Sequence, residues 1–197
     1  MPATDLIAFV RATLPPPPAR VLEIGAGDGE LAAALVAAGY DVVAIDPASE
    51  VENVRRVPLH ELEEEPFDAS VAVVSLHHIE PLGESFERLA TLVRPGALLV
   101  VDEVDFEQLA ERAVRWWLAR SGHAAEPADV LGVRDHMHSL ARLREALQPH
   151  FELGEPVRGA YLYRWNIPTD VRAEEEAGIA AGDLPAMGAR LVGIRRP

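Results

Sequence analysis

Short apolar runs alternate along the chain with longer segments whose apolar residues recur at helical spacing. The run Asp41–Ile45 is apolar after its first residue, which is typical of a strand buried on both faces of a sheet. Leu82–Val93 places Phe86, Leu89 and Val93 at helical spacing. By these criteria we predict strands over 20–24, 41–45, 53–57, 69–75, 97–101, 151–157 and 188–195, and helices over 4–14, 30–38, 82–93, 106–120, 140–147 and 170–181.

The chain has 197 residues and no internal repeat, so we predict one domain over residues 1–197. Residues 1–19 are predicted to form an N-terminal helix followed by a stiff linker, because Pro15–Pro18 ends the helix and favours an extended backbone. This helix either packs on the core or folds over a ligand as part of a lid.

A glycine-rich turn joins the first predicted strand to the first long helix. Gly25, Gly27 and Gly29 occupy alternate positions, and the alanine-rich segment after them favours a helix. The first turn of a helix offers free N–H groups and a partial positive charge. The sequence therefore predicts a strand, loop and helix that hold a ligand carrying an anionic group.

The spacing of these glycines decides which of the known ligand-binding loop patterns this chain matches. The dinucleotide fingerprint requires a third glycine where this chain has Glu30, and the phosphate loop requires a lysine, a residue that this chain lacks. The pattern that remains is E-x-G-x-G-x-G, from Glu23 to Gly29. It resembles motif I of the class I S-adenosylmethionine (SAM) dependent methyltransferases. The resemblance implies that Glu23, Gly25, Ala26, Gly27 and Gly29 form the part of the site beneath the methionine moiety of SAM.

An acidic residue follows the second predicted strand. Asp46 lies twenty-one residues after Gly25, where a carboxylate can accept hydrogen bonds from ribose hydroxyls. The resemblance implies that Asp46, with Pro47 beside it, grips the SAM ribose; a solvated turn aspartate is the alternative. The family often has an acid after the third strand, facing the adenine amino group, but here Pro58 and Leu59 stand there. Leu59 packing on the adenine, or His60 or Glu61 reaching it, stay open as contacts.

The fourth predicted strand starts with Phe67-Asp68 and ends in Ser75-Leu76-His77-His78, which resembles motif IV of the family. Ligands bind at the carboxyl ends of parallel strands, so Ser75 and Leu76 are predicted to contact the cofactor. Histidine titrates near neutral pH and can act as a general base, so His77 and His78 are the candidate catalytic residues. The alternative is that one histidine only packs or forms a hydrogen bond within the loop.

The run L-V-R-P-G-A-L-L-V-V-D-E, ending at Glu103, resembles the family's helix, R/K-P-G turn and central strand. The resemblance covers about residues 20–101. It implies an α/β fold with a Rossmann-like, seven-stranded, mostly parallel sheet in the order 3-2-1-4-5-7-6, the last strand antiparallel, flanked by helices. Asp102 and Glu103 could bind a substrate amine or a metal, or have a structural role.

The second half of the chain departs from the simple family pattern. Residues 104–137 look like an insertion, and insertions at this edge commonly form a substrate lid. His136 and His138 are candidate pocket residues; without patterned ligands nearby we predict no metal site. Tyr161 and Tyr163 could line a substrate pocket or belong to the core.

Composition narrows the function further. The absence of cysteine excludes disulfides, zinc–thiolate sites and the iron–sulfur cluster of radical SAM enzymes. A net charge of −14 disfavours nucleic-acid partners, since these require basic groups opposite phosphates. No apolar run approaches the roughly 18 residues of a membrane helix, and the first residues lack the basic region of a signal peptide. We therefore expect a cytoplasmic protein with a small-molecule partner and no membrane association.

The predicted function is transfer of a methyl group from SAM to a small-molecule acceptor. A catalytically silent SAM-binding scaffold is the alternative from another class, because the acid on the adenine side is missing. A nucleotide-dependent oxidoreductase is disfavoured by Glu30.

Overall fold

A computed structural model describes residues 4–197. A seven-stranded sheet runs through it, with the strands β1 (Arg20–Ile24), β2 (Asp41–Ile45), β3 (Phe67–Val73), β4 (Val93–Val104), β5 (Phe151–Leu153), β6 (Val157–Gly159) and β7 (Gly188–Arg195). The helices are α1 (Thr4–Thr13), α2 (Glu30–Ala37), α3 (Leu82–Leu92), α4 (Glu111–Ser121), α5 (Pro127–Leu131), α6 (Leu140–Leu147) and α7 (Arg172–Ala181).

The strand order is β2-β1-β3-β4-β7-β5, with β6 also paired to β7. β2, β1, β3 and β4 are mutually parallel, whereas β7 runs antiparallel to β4, β5 and β6. Ile24 pairs with Ile45 on one side and with Ala72 on the other. The carboxyl ends of these strands therefore meet at one edge of the sheet, and the loops after them converge there.

The Rossmann-like architecture and the strand order predicted from the sequence are confirmed, with corrections at both edges. The predicted strand over 53–57 is reduced to a single parallel bridge between Ile45 and Arg55. A turn closed by the hydrogen bond from the Val54 amide to the Val51 carbonyl precedes that bridge, and Pro58 has no amide hydrogen to extend it. At the other edge, the predicted strand over 151–157 is split into β5 and β6.

Helices cover both faces of the parallel strands, so the sheet lies between two apolar layers. On one face Leu22 and Ile24 pack with α3 and α6, where Phe86 and Leu143 are buried. On the other face Val21 packs against α1 and α2, in a cluster that includes Leu6, Val10, Leu31 and Leu35. Burial on both faces explains why most residues of β1 and β3 are apolar in sequence.

A third apolar cluster lies beyond the end of β4 and joins distant parts of the chain. Val114 and Trp117 of α4 pack there with Tyr161 and Leu162. The indole Nε1 of Trp117 donates a hydrogen bond to the carbonyl of Trp165 at 2.5 Å, and the two indole rings stack. Residues 104–137 thus pack against residues 161–165 and hold them in place. No helix among the described residues has the length and apolar character needed to cross a bilayer.

One buried carboxylate fixes the turn over residues 161–164. Glu175 of α7 is fully buried and accepts hydrogen bonds from three consecutive amides, those of Tyr161, Leu162 and Tyr163, at 2.7, 2.9 and 2.8 Å. Three backbone donors satisfy the carboxylate without a cationic side chain.

We predict that Glu175→Gln lowers the free energy of unfolding by about 1–3 kcal/mol, measured by urea denaturation. The reason is that an amide nitrogen would face a backbone N–H, leaving two donors opposed in a buried site. Glu174→Gln, on the exposed side of the same helix, should leave the midpoint almost unchanged. Equal midpoints for the two variants would contradict this account of Glu175.

Candidate active site

A cavity of about 1710 Å³ opens at the carboxyl ends of β1, β2 and β3. It brings together most of the site residues predicted from the sequence. Those that line it are Glu23, Gly25, Ala26, Gly27, Asp46, Pro47, Leu59, Ser75, His78, Tyr161 and Tyr163.

The glycine loop has the left-handed backbone that its composition predicts. Gly25, Gly27 and Gly29 have φ of 70°, 54° and 74°, a region that side chains with a Cβ rarely adopt. The amides of Gly25 and Ala26 both donate to the Ile45 carbonyl, which anchors the loop to β2. A Cβ on Gly25 would lie 2.2 Å from the Cβ of Ser75, whereas a Cβ on Gly27 would meet nothing within 4 Å. The loop therefore touches the neighbouring loop at Gly25 and leaves open space at Gly27.

Asp46 is bonded to this loop. Its Oδ2 accepts from the Gly27 amide at 2.9 Å and its Oδ1 accepts from the Ala48 amide at 2.8 Å. The Ser49 hydroxyl donates to the Gly27 carbonyl at 2.7 Å. Each carboxylate oxygen has two lone pairs, so both oxygens of Asp46 keep acceptor capacity toward the cavity.

Glu23 is a buried carboxyl group at the cavity floor. Burial raises the pKa of Glu23 to about 8, and the nearby negative charge of Asp28 adds to the effect, against a hydrogen bond from the Ala32 amide. Its Oε2 is buried and has no hydrogen-bond partner among the described residues. A cationic or hydrogen-bond-donating ligand group at this point would satisfy it.

The backbone after β3 is strained where it enters the cavity. Val74 has φ of 48°, an unfavourable value for a β-branched residue, and its amide donates to the Asp102 carbonyl at 2.8 Å. The next residue, Ser75, donates its hydroxyl to the Ile24 carbonyl at 2.7 Å. The first bond ties the loop after β3 to β4, and the second ties it to the end of β1, directly before the glycine loop.

The two candidate histidines have different environments. His77 is buried, and its Nδ1 lies 2.7 Å from Oε1 of Glu103, which is fully buried. Glu103 also accepts from the amides of Leu76 and Val104 at 2.9 and 2.8 Å. His77 and Leu76 therefore belong to an internal network and do not line the cavity, and Glu103 has the structural role that the sequence left open.

His78 is the histidine on the cavity wall. Its ring centroid lies 4.2 Å from that of His77. Partial burial lowers the pKa of His78, and the neighbouring His77 lowers it further, against a smaller opposing effect of Glu103. The imidazole is therefore neutral at pH 7 and able to accept a proton.

Residues 161–172 and the first turn of α1 form the opposite wall. Burial raises the pKa of both Tyr161 and Tyr163, so their phenols stay protonated. Ion pairs hold this wall to the sheet. Asp102 pairs with Arg164 at 2.6 Å and with Arg190 at 2.7 Å, and Asp5 pairs with Arg190 at 3.0 Å and with Arg172 at 3.1 Å.

Sequence reasoning did not assign Asp5, Arg164 or Arg172 to the site, although all three line the cavity. They come from α1, from the turn after β6 and from α7, and no local motif links such distant residues. The only signal in the sequence is the run of aromatic residues at alternate positions 161, 163 and 165, with Arg164 among them.

Other predicted site residues lie outside the cavity. Gly29 is the N-cap residue of α2, where it faces Val54. His138 points at the Ile79 carbonyl and at Glu80, its Nε2 being 3.1 Å from each, and His136 is exposed. No residue of the 104–137 segment lines the cavity, so a lid role for this segment stays a prediction. Within residues 4–197 no group of three or more histidine and carboxylate side chains is placed to hold a metal ion.

Comparison with known proteins identifies the family. A family model described as a methyltransferase domain matches residues 2–149. An uncharacterized methyltransferase of Mycobacterium tuberculosis is 31% identical over 175 residues, covering 75% of this chain and 87% of that protein. Methyltransferase str2 of Strobilurus tenacellus is 30% identical over 200 residues, covering 89% of this chain and 66% of that protein. The chain belongs to the methyltransferase domain family.

With other relatives the match covers a smaller share of each protein. With a second uncharacterized methyltransferase of Mycobacterium tuberculosis the chain is 34% identical over 98 residues, which is 44% of this chain and 40% of that protein. The match thus spans less than half the length of that relative.

Solved structures show the same fold. A SAM-dependent methyltransferase from Mesorhizobium loti superimposes with a TM-score of 0.65 at 16% identity, covering 98% of this chain and 99% of that one. A second structure is the 1,6-didemethyltoxoflavin-N1-methyltransferase of Burkholderia thailandensis, solved with 1,6-didemethyltoxoflavin and S-adenosylhomocysteine. It superimposes with a TM-score of 0.60 at 17% identity, covering 98% of this chain and 78% of that one. The fold is that of the SAM-dependent methyltransferases.

The two loop glycines give a matched test of the loop geometry. We predict that Gly25→Ala destabilises the fold well beyond Gly27→Ala in urea denaturation, because only Gly25 combines a positive φ with a collision at Ser75. The positive φ alone accounts for about 1–2 kcal/mol, which is the loss expected for Gly27→Ala. Equal losses for the two variants would show that the loop is not packed against Ser75.

Proposed function

We propose that this protein transfers a methyl group from SAM to a small-molecule acceptor. One observation carries the proposal: a single cavity joins the glycine loop and Asp46 on one side to His78, Tyr161 and Tyr163 on the other. Methyl transfer needs two ligands held in contact and shielded from water, and a continuous cavity with two chemically distinct ends provides for that.

The residues at the first end fit the cofactor. The open space at Gly27 and the free acceptor atom on Glu23 would receive the methionine part, whose ammonium group can donate to that carboxyl. Asp46 would accept from the ribose hydroxyls through its remaining lone pairs. The apolar wall of Val57, Pro58 and Leu59 would cover the adenine ring. The geometry of this chain and its family membership support each of these positions.

The cofactor supplies a methyl group on a positively charged sulfur, which an acceptor atom attacks in line. The chain's contribution is positioning and proton transfer. Carboxylates at Asp28 and Asp46 give the first end a negative potential that favours a cation, and Glu23 adds a buried acceptor atom without a partner among the described residues. At the second end, His78 can take a proton from an acceptor hydroxyl or amine as that atom becomes nucleophilic.

The walls of the second end indicate the kind of acceptor. Tyr161, Tyr163, Ile167 and Pro168 offer apolar and aromatic surface, with Arg164 at its margin. Such a lining suits a small, flat and partly apolar molecule with one ionisable group. The neighbour that binds 1,6-didemethyltoxoflavin and a 31% identical ubiquinone biosynthesis O-methyltransferase of Xylella fastidiosa, matched over 49% of this chain and 46% of that protein, support an acceptor of this class.

Calorimetric titration with SAM, S-adenosylhomocysteine and NADPH tests the cofactor assignment. We expect both sulfur compounds to bind and NADPH not to bind. Asp46→Asn should weaken S-adenosylhomocysteine binding about 10- to 100-fold, since the variant loses a charged acceptor for the ribose hydroxyls. Asp41→Asn, at the other end of the same strand, is the control and should bind like the wild type.

Binding of NADPH in place of the sulfur compounds would overturn the proposal in favour of an oxidoreductase. A second assay uses mass spectrometry to detect methyl transfer from SAM to each member of a panel of acceptors. Binding of SAM without methyl transfer to any of them would favour a catalytically silent scaffold.

His78 predicts a specific pH dependence of kcat. The neutral imidazole is the active form, so activity should fall on the acid side, and the midpoint of this fall should lie below the ordinary pKa of histidine because burial lowers the pKa of His78. His78→Gln should lower kcat about 100-fold, leave the KM for SAM nearly unchanged and remove the acid limb. His123→Ala, on an exposed histidine outside the cavity, should keep the wild-type profile. An unchanged acid limb in His78→Gln would exclude His78 as the base.

A further inference from the structure

The adenine end of the cavity lacks a carboxylate directly after residues 53–57, the segment that the sequence predicted as a third strand. Pro58 and Leu59 occupy that stretch, and both line the cavity. Val57 precedes them, and Ile79 lines the same cavity from the loop after β3. An adenine ring enclosed by such apolar walls would gain burial but would leave its amino group without a hydrogen-bond acceptor.

Ser85 supplies a polar atom at this end. It lies in the first turn of α3, is fully buried and lines the cavity. Its amide donates to the Pro81 carbonyl at 3.1 Å, but its hydroxyl has no hydrogen-bond partner anywhere in residues 4–197. Buried hydroxyls without a partner are uncommon and destabilising, so an unpartnered one on a cavity wall points to a ligand that completes it.

The packing of α3 places Ser85 near the adenine end. α3 makes extensive contacts with the short helical turn Leu59–Glu61, and Leu89 of α3 shares an apolar cluster with Leu59. Ser85 therefore belongs to the helix that packs against this wall, and it lines the same cavity as Pro58, Leu59 and Ile79.

We infer that the Ser85 hydroxyl is the hydrogen-bond partner of the adenine 6-amino group. It would take the place of an acidic residue directly after the 53–57 segment. The inference rests on the proposed function, since it assumes a SAM-type cofactor in this cavity. The hydroxyl accepts from the amino N–H, and its own hydrogen can point to a ring nitrogen of the base. A single neutral side chain thus recognises the adenine edge.

Two other side chains could compete for this role. Glu80 lines the cavity, but its carboxylate is mostly exposed and pairs with His138 at 3.1 Å. His60 has a buried Nδ1 without a partner among the described residues, but His60 does not line the cavity. Ser85 alone of the three combines a place on the cavity wall with a buried and unpartnered polar atom.

The test compares S-adenosylhomocysteine with its analogue in which a hydrogen replaces the 6-amino group of the purine. Dissociation constants are measured by calorimetry for the wild type and for Ser85→Ala. The wild type should prefer the amino compound about 3- to 10-fold, the value of one hydrogen bond, and Ser85→Ala should bind the two compounds equally. The apo variant should melt at or above the wild-type temperature, since it loses an unsatisfied buried group.

Two control variants separate the possible outcomes. Ser70→Ala removes another fully buried and unpartnered hydroxyl, on β3 and away from the cavity, and should keep the wild-type preference. Glu80→Gln should also keep it. Loss of the preference in Glu80→Gln, or its persistence in Ser85→Ala, would overturn the inference while leaving the proposed function intact. A wild type that binds neither compound would overturn both.

Discussion

The parallel register of β1, β2 and β3 is the constraint on which the site depends. Pairing Ile24 with Ile45 and with Ala72 makes three strands end at one level, so the loops after them must share one space. A shift of one residue in any strand would move its buried side chains to the opposite face, and the two apolar layers strongly oppose such a shift. The cavity is therefore a consequence of the core, and its loops need only small adjustments to hold ligands.

Carboxylates that accept from backbone amides make those adjustments, and two of the three, Glu103 and Glu175, are fully buried. Glu103 accepts from two amides and contacts His77, Glu175 accepts from three amides, and Asp46 accepts from the amides of Gly27 and Ala48. Each joins a loop to a neighbouring element through backbone donors, which do not depend on the identity of the residues that carry them. Part of the acidic excess of the chain thus has an internal structural role, in addition to any effect on partners.

The features that could be predicted from the sequence are those set by interactions between residues close together in the chain. β1, β2, β7 and the Ser139-capped helix α6 have the predicted bounds, because burial pattern and capping are local. The prediction of an edge strand over 53–57 was wrong, because pairing at the edge of a sheet depends on neighbouring residues that the local pattern does not contain. The difference between His77 and His78 depends on Glu103, which is twenty-five residues or more away in sequence and adjacent only in the fold. The wall over 161–172 is held by Asp5 and Asp102, from two other elements, and no motif spans that distance.

The two ends of the cavity consequently respond differently to sequence change. The end formed by the glycine loop relies on backbone geometry: positive φ at three glycines and the contact of Gly25 with Ser75 leave little freedom for substitution. The opposite end relies on a chain of side-chain ion pairs, from Arg164 through Asp102, Arg190 and Asp5 to Arg172. Arg164 and Arg172 lie outside the sheet, so exchanging either one alters shape and charge at the cavity without changing a strand, whereas Asp102 is buried on β4 and Arg190 lies on β7. Under the function proposed above, a cofactor end fixed by the backbone and an acceptor end fixed by side chains would allow one fold to keep its cofactor while its acceptor changes.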